Sequence, residues 1–172
     1  MKILVCVKQV PEFENVNITE GESGAALMDE FDAFQMNRFD EFAVEQAVQI
    51  KESLEDVRVD VVTVGPDRAA DVCKRAIGMG ADHGVHLQTP EAAYTSPAVV
   101  AAAIAAFAGG KTYACILTGA MSEDGMHGQV GPRIAGLLNL PVATQVIAMK
   151  LAANRSGVEV EREIEGGVRE DL

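Results

Sequence analysis

Apolar positions along the chain follow the two periods expected of buried strands and amphipathic helices. The run KILVCVKQV at 2–10 and the run VRVDVVTV at 57–64 are short and rich in β-branched residues, which is typical of parallel strands buried on both faces. Similar short runs at 84–88 and 113–118 predict a third and a fourth strand. Two weaker strand-like pieces lie near 16–19 and 25–28, in a long irregular segment after the first strand.

Helices are predicted between these strands by their periodicity and by their terminal residues. The residues Phe39, Ala43, Ala47, Ile50 and Leu54 share one helical face. Asn37 precedes this helix and is predicted to be its N-cap.

The remaining helices follow the same logic. Asp67 is predicted to cap a second helix that runs to residue 79 and ends at Gly80. Ser96 and Pro97 supply a cap and a first-turn proline for a helix over 97–108. A fourth helix is predicted at 129–138.

The order of elements predicts a Rossmann-like α/β fold with a parallel sheet and helices on both faces. Segments 142–151 and 158–164 follow the last helix and predict a C-terminal β-hairpin, because 158–164 alternates apolar and charged residues. The chain is expected to form one α/β domain over 1–172, with 157–172 a partly disordered or truncated tail. Sheets of this kind bind ligands beyond the carboxyl ends of the strands, where the strand order reverses.

Charge excludes several partners. The chain has 172 residues and a net charge of −12, distributed as −9 over 1–60, +1 over 61–156 and −4 over 157–172. A nucleic-acid-binding surface needs clustered Lys and Arg to neutralise phosphates, so this class is excluded. Docking on anionic lipid is disfavoured for the same reason. A small anion held by backbone N–H groups remains compatible with this charge.

The cysteines and the hydropathy bear on location. Cys6, Cys73 and Cys115 lie in apolar stretches without a CxxC pattern, which is typical of reduced, buried thiols and predicts a cytoplasmic protein. No stretch has the 18 uncharged apolar residues of a membrane span.

The glycine-rich segment at 119–131 carries most of the functional signal. It holds four glycines, follows a predicted buried strand and precedes a helix, so its backbone could approach a phosphate at the helix N-terminus. Local features leave two alternatives open, a phosphate-binding loop and an ordinary flexible βα loop. His127 lies in this loop and is a candidate phosphate contact. The fingerprint GxGxxG is missing after the first strand, which argues against a Rossmann dehydrogenase.

A catalytic side-chain set is not evident from the sequence. His83 and His86 flank a strand start and are expected to be structural or exposed. No carboxylate pair, nucleophile elbow or metal-ligand spacing stands out. The chain is therefore expected not to be an enzyme, and any chemistry would belong to a bound cofactor.

Several segments together resemble the small (beta) subunit of electron-transfer flavoproteins. They are KILVCVKQVP at 2–11, MNRFDEFAVE at 36–45, VVTVGP at 61–66, AIGMGAD at 76–82, the glycine segment with its GQVGP ending, and VEREIEGG at 160–167. Their order and approximate spacing also fit that family, and the resemblance runs over the whole chain.

The resemblance implies a role in a heterodimer. The large (alpha) subunit of the family carries the electron-transferring FAD, and the small subunit binds AMP, or a second FAD in electron-bifurcating members. The heterodimer accepts electrons from dehydrogenases and passes them to an acceptor.

By resemblance, the nucleotide contacts lie on the first strand, the start of the first helix, the end of the second strand and the glycine loop. The residues are Cys6, Asn37, Arg38, Phe39, Asp40, Val64, Gly119, Ala120, Met121, Ser122, Glu123, Asp124, Gly125, Met126, His127, Gly128, Gln129 and Val130.

The chain departs from the family pattern at three places. Ala120 and Met121 stand where the family often has Lys-Gln, and Arg38 stands where it has Pro. Family members continue well beyond the Glu-Gly-Gly segment, so the resemblance implies that the chain lacks the family's C-terminal part.

Two alternative hypotheses remain at this level. One is an adenine-nucleotide-binding regulatory protein of the universal-stress type, although the compact Gly-Gly loop followed by Ser or Thr is missing. The other is an enzyme that activates a substrate with ATP.

The resemblance predicts that the isolated chain holds no stable flavin and transfers no electrons, because the arm that reaches the flavin domain would be missing. Absorbance spectroscopy of the purified chain tests this expectation. A yellow preparation with stoichiometric FAD would contradict it.

Overall fold

The computed structural model describes residues 1–12, 18–20, 26–28, 33–90, 95–152 and 157–172. A four-stranded parallel sheet forms its centre. The strands of this sheet are β1 (Lys2–Cys6), β6 (Arg58–Gly65), β7 (His83–Gln88) and β8 (Cys115–Thr118). The helices are α1 (Arg38–Ser53), α2 (Ala70–Met79), α3 (Pro97–Ala108) and α4 (Val130–Leu138). The α/β class and the Rossmann-like parallel sheet are confirmed.

Helices cover both faces of the sheet. Alternate residues of β1 point to opposite sides, so Ile3 and Val5 pack with α1 and α2, whereas Leu4 and Cys6 pack with α3 and α4. All four side chains are buried. This explains why the strand reads as a continuous apolar run.

The strand order β7-β6-β1-β8 contains one reversal. From β1 the chain adds β6 and β7 on one side, and it then returns to add β8 on the other side. The reversal therefore lies between β1 and β8, whose carboxyl ends are Cys6 and Thr118. This is the position at which open α/β sheets place their ligand crevice.

The first strand ends earlier than predicted. Lys8 leaves the sheet because its N–H donates to the Asp40 carboxylate (2.8 Å) and its carbonyl accepts from Asn37 N–H (2.9 Å). Residues Gln9–Pro11 then form a separate strand, β2, which pairs antiparallel with β5 (Phe34–Met36). No sequence pattern indicates β5, since three residues are too few to show a period.

The two weak strand-like pieces correspond to β3 (Ile18–Glu20) and β4 (Ala26–Met28), which pair antiparallel. Residues 16, 17 and 25 of the predicted pieces lie outside the described residues.

Of two predicted helix caps, Asn37 is right in position and Asp67 is wrong. Asn37 is the N-cap residue of α1, but its side chain makes no capping hydrogen bond to a backbone N–H of the first turn. Asp67 begins a 3-10 turn, Asp67–Ala69, which precedes α2, and its carboxylate accepts from Gln88 Nε2. Each side chain binds another segment of the chain, which competes with local capping.

The C-terminal hairpin is present and gains a third strand. Strand β9 (Val146–Leu151) pairs antiparallel with β10 (Val158–Ile164), and β10 pairs with β11 (Val168–Asp171). The span 157–172, for which partial disorder was expected, thus holds β10 and β11. Met149 and Leu151 of β9 pack against the core beside α1.

The fourth sheet strand and the first hairpin strand are shorter than predicted. β8 begins at Cys115 because Tyr113 turns away, and its hydroxyl donates to Asp60 Oδ2 (3.1 Å). β9 begins only after Gln145, whose positive φ of 55° interrupts extended backbone. No helix among the described segments is long and apolar enough to cross a membrane.

Candidate functional site

A cleft of about 310 Å³ lies at the point where the strand order reverses. Its floor is formed by the carboxyl ends of β1 and β8, with Cys6 and Thr118 in its lining. The glycine loop forms one wall. The start of α3, with Pro97, Val100 and Ile104, forms the opposite wall, and Val64 lies at the end of β6.

Two buried polar residues at the start of α1 hold the glycine loop. The Asn37 side chain donates from Nδ2 to Met121 O (2.9 Å) and accepts at Oδ1 from Glu123 N–H (3.1 Å). Asn37 is only 1% exposed. Both the nitrogen and the oxygen of its amide therefore bind the loop backbone, which explains why this buried polar group is tolerated.

Asp40 joins the two strands on either side of the reversal. Its Oδ2 accepts from Lys8 N–H (2.8 Å) and its Oδ1 accepts from Gly119 N–H (3.0 Å). The side chain is 6% exposed and borders the cleft. One carboxylate thus sets the separation of the ends of β1 and β8.

Burial governs the ionisation of this floor. Burial raises the pKa of Asp40 to about 7, although the N–H donors, Asn37 and Lys8 favour its charged form. Burial also raises the pKa of the Cys6 thiol far above its usual range, and the nearby Asp40 adds to this. Cys6 is therefore a neutral apolar wall and not a nucleophile at neutral pH.

The single Lys or Arg among the described residues of the lining is already paired. Lys8 Nζ contacts both carboxylate oxygens of Asp124 (2.6 and 2.7 Å) and the Ser122 hydroxyl (3.3 Å). Burial alone would raise the pKa of Asp124, but the hydrogen bonds from Lys8 and Ser122 lower it below its usual value. This pair links the end of β1 to the middle of the loop.

Arg38 and Glu123 meet on the outside of the cleft. The Arg38 N–H donates to Glu123 Oε2 (3.2 Å), and its Nε lies 3.8 Å from Glu123 Oε1. Neither residue lines the cleft. Their contact adds a further tie between α1 and the loop.

Two helix N-termini face the cleft. Pro97 at the start of α3 and Gln129 at the start of α4 both line it. The Gln129 side chain does not cap α4 but accepts from Arg133 (2.9 and 3.1 Å). Gly128 precedes this helix with φ of 59°. Helix N-termini stabilise anions through N–H groups and the helix dipole.

Thirteen of the residues predicted for the site line the cleft. They are Cys6, Asn37, Asp40, Val64, Gly119, Met121, Ser122, Asp124, Gly125, His127, Gly128, Gln129 and Val130.

Five predicted residues do not line the cleft: Arg38, Phe39, Ala120, Glu123 and Met126. Arg38 and Glu123 bind each other, and Met126 is 70% exposed. A loop that follows a wall alternates its side chains between the cleft and the outside, so a continuous stretch overestimates the lining.

Eight lining residues are absent from the set of contacts that the resemblance implies. They are Val7, Lys8, Thr95, Pro97, Val100, Ile104, Thr118 and Gly131. The helix start at Ser96-Pro97 was visible in the sequence, and α3 follows a parallel strand. Its N-terminus therefore belongs at the carboxyl edge of the sheet, which is the signal that could have found this wall.

A metal centre has no support in the described part of the chain, where no group of three or more His, Cys, Asp or Glu side chains could hold a metal ion.

The fold and the cleft define an α/β protein with a candidate ligand site at the reversal of strand order. A family model described as "Electron transfer flavoprotein domain" matches residues 26–170. The chain therefore belongs to the electron transfer flavoprotein family.

Curated relatives identify the subunit type. Electron transfer flavoprotein subunit beta, mitochondrial, of Oryza sativa subsp. japonica is 36% identical over 98% of this chain and 66% of that protein. The beta subunits of Sus scrofa and Methylophilus methylotrophus are 34% and 31% identical, over 98% and 100% of the chain and 66% and 65% of those proteins. The resemblance to beta subunits is confirmed. The chain spans about two thirds of the length of these relatives.

Gly119→Ala is expected to lower the free energy of unfolding by about 1–3 kcal/mol. An added Cβ would lie 2.9 Å from Phe39 C and 3.0 Å from Asp40 N and would overlap Asp40 Oδ1. Urea unfolding measures the change. Gly78→Ala is the matched control, because Gly78 lies in α2 with nothing near its Cβ position. The control is expected to gain about 0.5–1 kcal/mol.

Asp40 is expected to make the free energy of unfolding fall as pH rises from about 4 to about 7. The pKa of Asp40 is raised in the folded chain, so in this window the folded state binds more protons than the unfolded state. Asp40→Asn should be less stable throughout, because an amide cannot accept from both N–H groups, and should lose this part of the slope. Urea titrations at several pH values measure the free energy of unfolding of both proteins and its slope with pH. Equal slopes for the two proteins would contradict the raised pKa of Asp40.

Proposed function

We propose that the chain is the small subunit of an electron-transfer flavoprotein heterodimer, which supports electron transfer from dehydrogenases to an acceptor. The family match and the beta-subunit relatives support this proposal. The large subunit would carry the electron-transferring FAD. In this proposal the chain is a carrier subunit without its own side-chain catalysis, located in the cytoplasm. The three free cysteines are compatible with that compartment.

We further propose that the cleft binds AMP, or a second FAD in its place. The observation that carries this proposal is the meeting of two helix N-termini and a clamped glycine loop above the ends of β1 and β8. Gly128 and the first turn of α4 would receive the phosphate. The apolar side chains of Val64, Val100 and Ile104 would contact the adenine ring.

The size of the cleft favours a mononucleotide. Its 310 Å³ lies at the lower end of the roughly 300–1,000 Å³ range of ligand pockets. The binding set proposed from the sequence remains the working set, with Lys8 and the start of α3 added. A bound flavin would supply redox chemistry, whereas a bound AMP would supply none. In either case the residues of the chain would orient the ligand and exclude water.

The decisive experiment combines co-expression and nucleotide analysis. The chain is co-expressed with the large subunit of the same organism, the complex is purified, and bound nucleotides are released for mass spectrometry. AMP together with one FAD, or two FAD, supports the proposal. A stable homodimer that carries ATP would instead support the universal-stress alternative.

Gly128→Asp is expected to reduce nucleotide affinity about tenfold or more, equivalent to at least about 1.4 kcal/mol. The new carboxylate would repel a phosphate, and a Cβ would lie 3.2 Å from Ala120 O. Gly110→Asp is the matched control: Gly110 also has a positive φ, of 76°, but lies in open space away from the cleft. Isothermal titration with AMP compares the two. Equal affinities would remove this loop from the site.

A further inference from the structure

The described lining of the cleft carries five titratable side chains: Cys6, Lys8, Asp40, Asp124 and His127. Burial keeps the Cys6 thiol neutral. The Lys8 ammonium holds Asp124 ionised through contacts of 2.6 and 2.7 Å. Asp40 and His127 are therefore the two lining groups whose charge these contacts do not fix.

Burial distinguishes Asp40 from His127. Asp40 is 6% exposed in the floor of the cleft, whereas His127 is exposed on the glycine loop. The Asp40 carboxylate is bound by two neutral donors, the N–H groups of Lys8 (2.8 Å) and Gly119 (3.0 Å). The Lys8 ammonium, which could neutralise it, binds Asp124 instead. Asp40 is therefore a negative charge that burial opposes.

The surroundings of Asp40 offer little positive charge from any element. On its own helix, the neighbouring Glu41 binds Arg75 of α2 (2.7 Å) and Asn37 is neutral. Among the groups that favour the charged form of Asp40, the Lys8 ammonium contributes least. The lining residues of β8, α3 and α4 are uncharged.

A nucleotide in the cleft would act on Asp40 in two ways. It would displace the water that still reaches the floor. Its phosphate would also add negative charge to a described lining that holds two carboxylates, Asp40 and Asp124, against the one ammonium of Lys8. Both effects disfavour an ionised carboxyl group. Salt relieves them little, because charges inside a cleft are screened less than charges on a surface.

We propose that Asp40 takes up a proton from the solvent when a nucleotide enters the cleft, so that the chain binds its anionic ligand together with one proton. This inference rests on the proposed nucleotide site and adds the regulation of that site by pH. The proton would go to one oxygen of the carboxylate, and the other oxygen would still accept from a backbone N–H. Burial raises the pKa of Asp40 to about 7, so a further rise on binding moves its titration above neutral pH.

The direction of the pH dependence follows from linkage. A ligand that raises the pKa of a group is bound more tightly when that group is protonated. If binding raises the pKa of Asp40 by about one unit, the affinity for AMP should fall about fourfold between pH 7 and pH 8.5. A phosphate site without this carboxyl group would show no such fall, because a phosphate monoester with a second pKa of about 6 is already ionised in this range.

Isothermal titration of the full chain with AMP, in buffers of different ionisation enthalpy, measures the number of protons taken up. About half a proton per AMP is expected at pH 7.5. Asp40→Asn should remove this uptake. Asp60→Asn is the matched control and should keep it. Asp60 is 7% exposed, close to the 6% of Asp40, but it lies outside the cleft lining, where Arg58 and Tyr113 bind it.

A second measurement needs no substitution and decides the matter if Asp40→Asn fails to fold. Difference infrared spectroscopy of the unchanged chain at pH 7.5 should show the carbonyl band of a protonated carboxyl group when AMP binds. Asp60→Asn should show the same band. The absence of this band from the AMP-bound chain would contradict the proposal.

The outcomes separate this inference from the proposed function. Binding of AMP without proton uptake would overturn the inference and leave the nucleotide site intact. Uptake that persists in Asp40→Asn and disappears in His127→Gln would assign the proton to His127 and would also overturn it. Failure of the chain to bind either AMP or FAD at any pH would remove the proposed nucleotide site together with the proton uptake.

Discussion

The Asp40 carboxylate is the interaction on which the geometry of the cleft depends. It receives the N–H groups of Lys8 and Gly119 and therefore joins the two strand ends between which the strand order reverses. The backbone leaves the sheet at that point, and because these N–H groups are buried they need an acceptor. A side chain from α1 supplies it, so the helix, both strands and the loop are placed by one group.

The requirement for glycine follows from this close approach. Gly119 has no space for a Cβ because Asp40 and the backbone of Phe39 occupy it, and a Cβ at Gly131 would lie 2.7 Å from Thr118 Oγ1. Gly128 needs its positive φ to turn the chain into α4. The glycines that first suggested phosphate binding thus have structural reasons as well. The loop is held by Asn37 and Lys8, and these contacts are made by the chain itself whether or not the loop binds a phosphate.

Sequence patterns were sufficient for the elements that bury an apolar face. The alternation of β-branched runs and periodic helices predicted the parallel sheet and its helices on both faces, because burial of apolar surface determines these elements. Sequence patterns were insufficient where a polar side chain binds a distant segment. Asn37 and Asp67 have the residue type of a helix cap, yet each binds a partner more than 20 residues away, which no local pattern contains. The same applies to Lys8, whose exit from β1 is determined by Asp40.

The paired state of Lys8 has a kinetic consequence for any anionic ligand. Since Asp124 already neutralises this cation, the described lining offers a phosphate no unpaired Lys or Arg, and the chain as a whole repels anions through its net charge of −12. Dissolved salt screens the long-range repulsion far more than the short contacts inside a cleft. Raising the ionic strength should therefore speed the entry of an anion into this site while changing its escape little, the reverse of the behaviour of a site that attracts its ligand by charge.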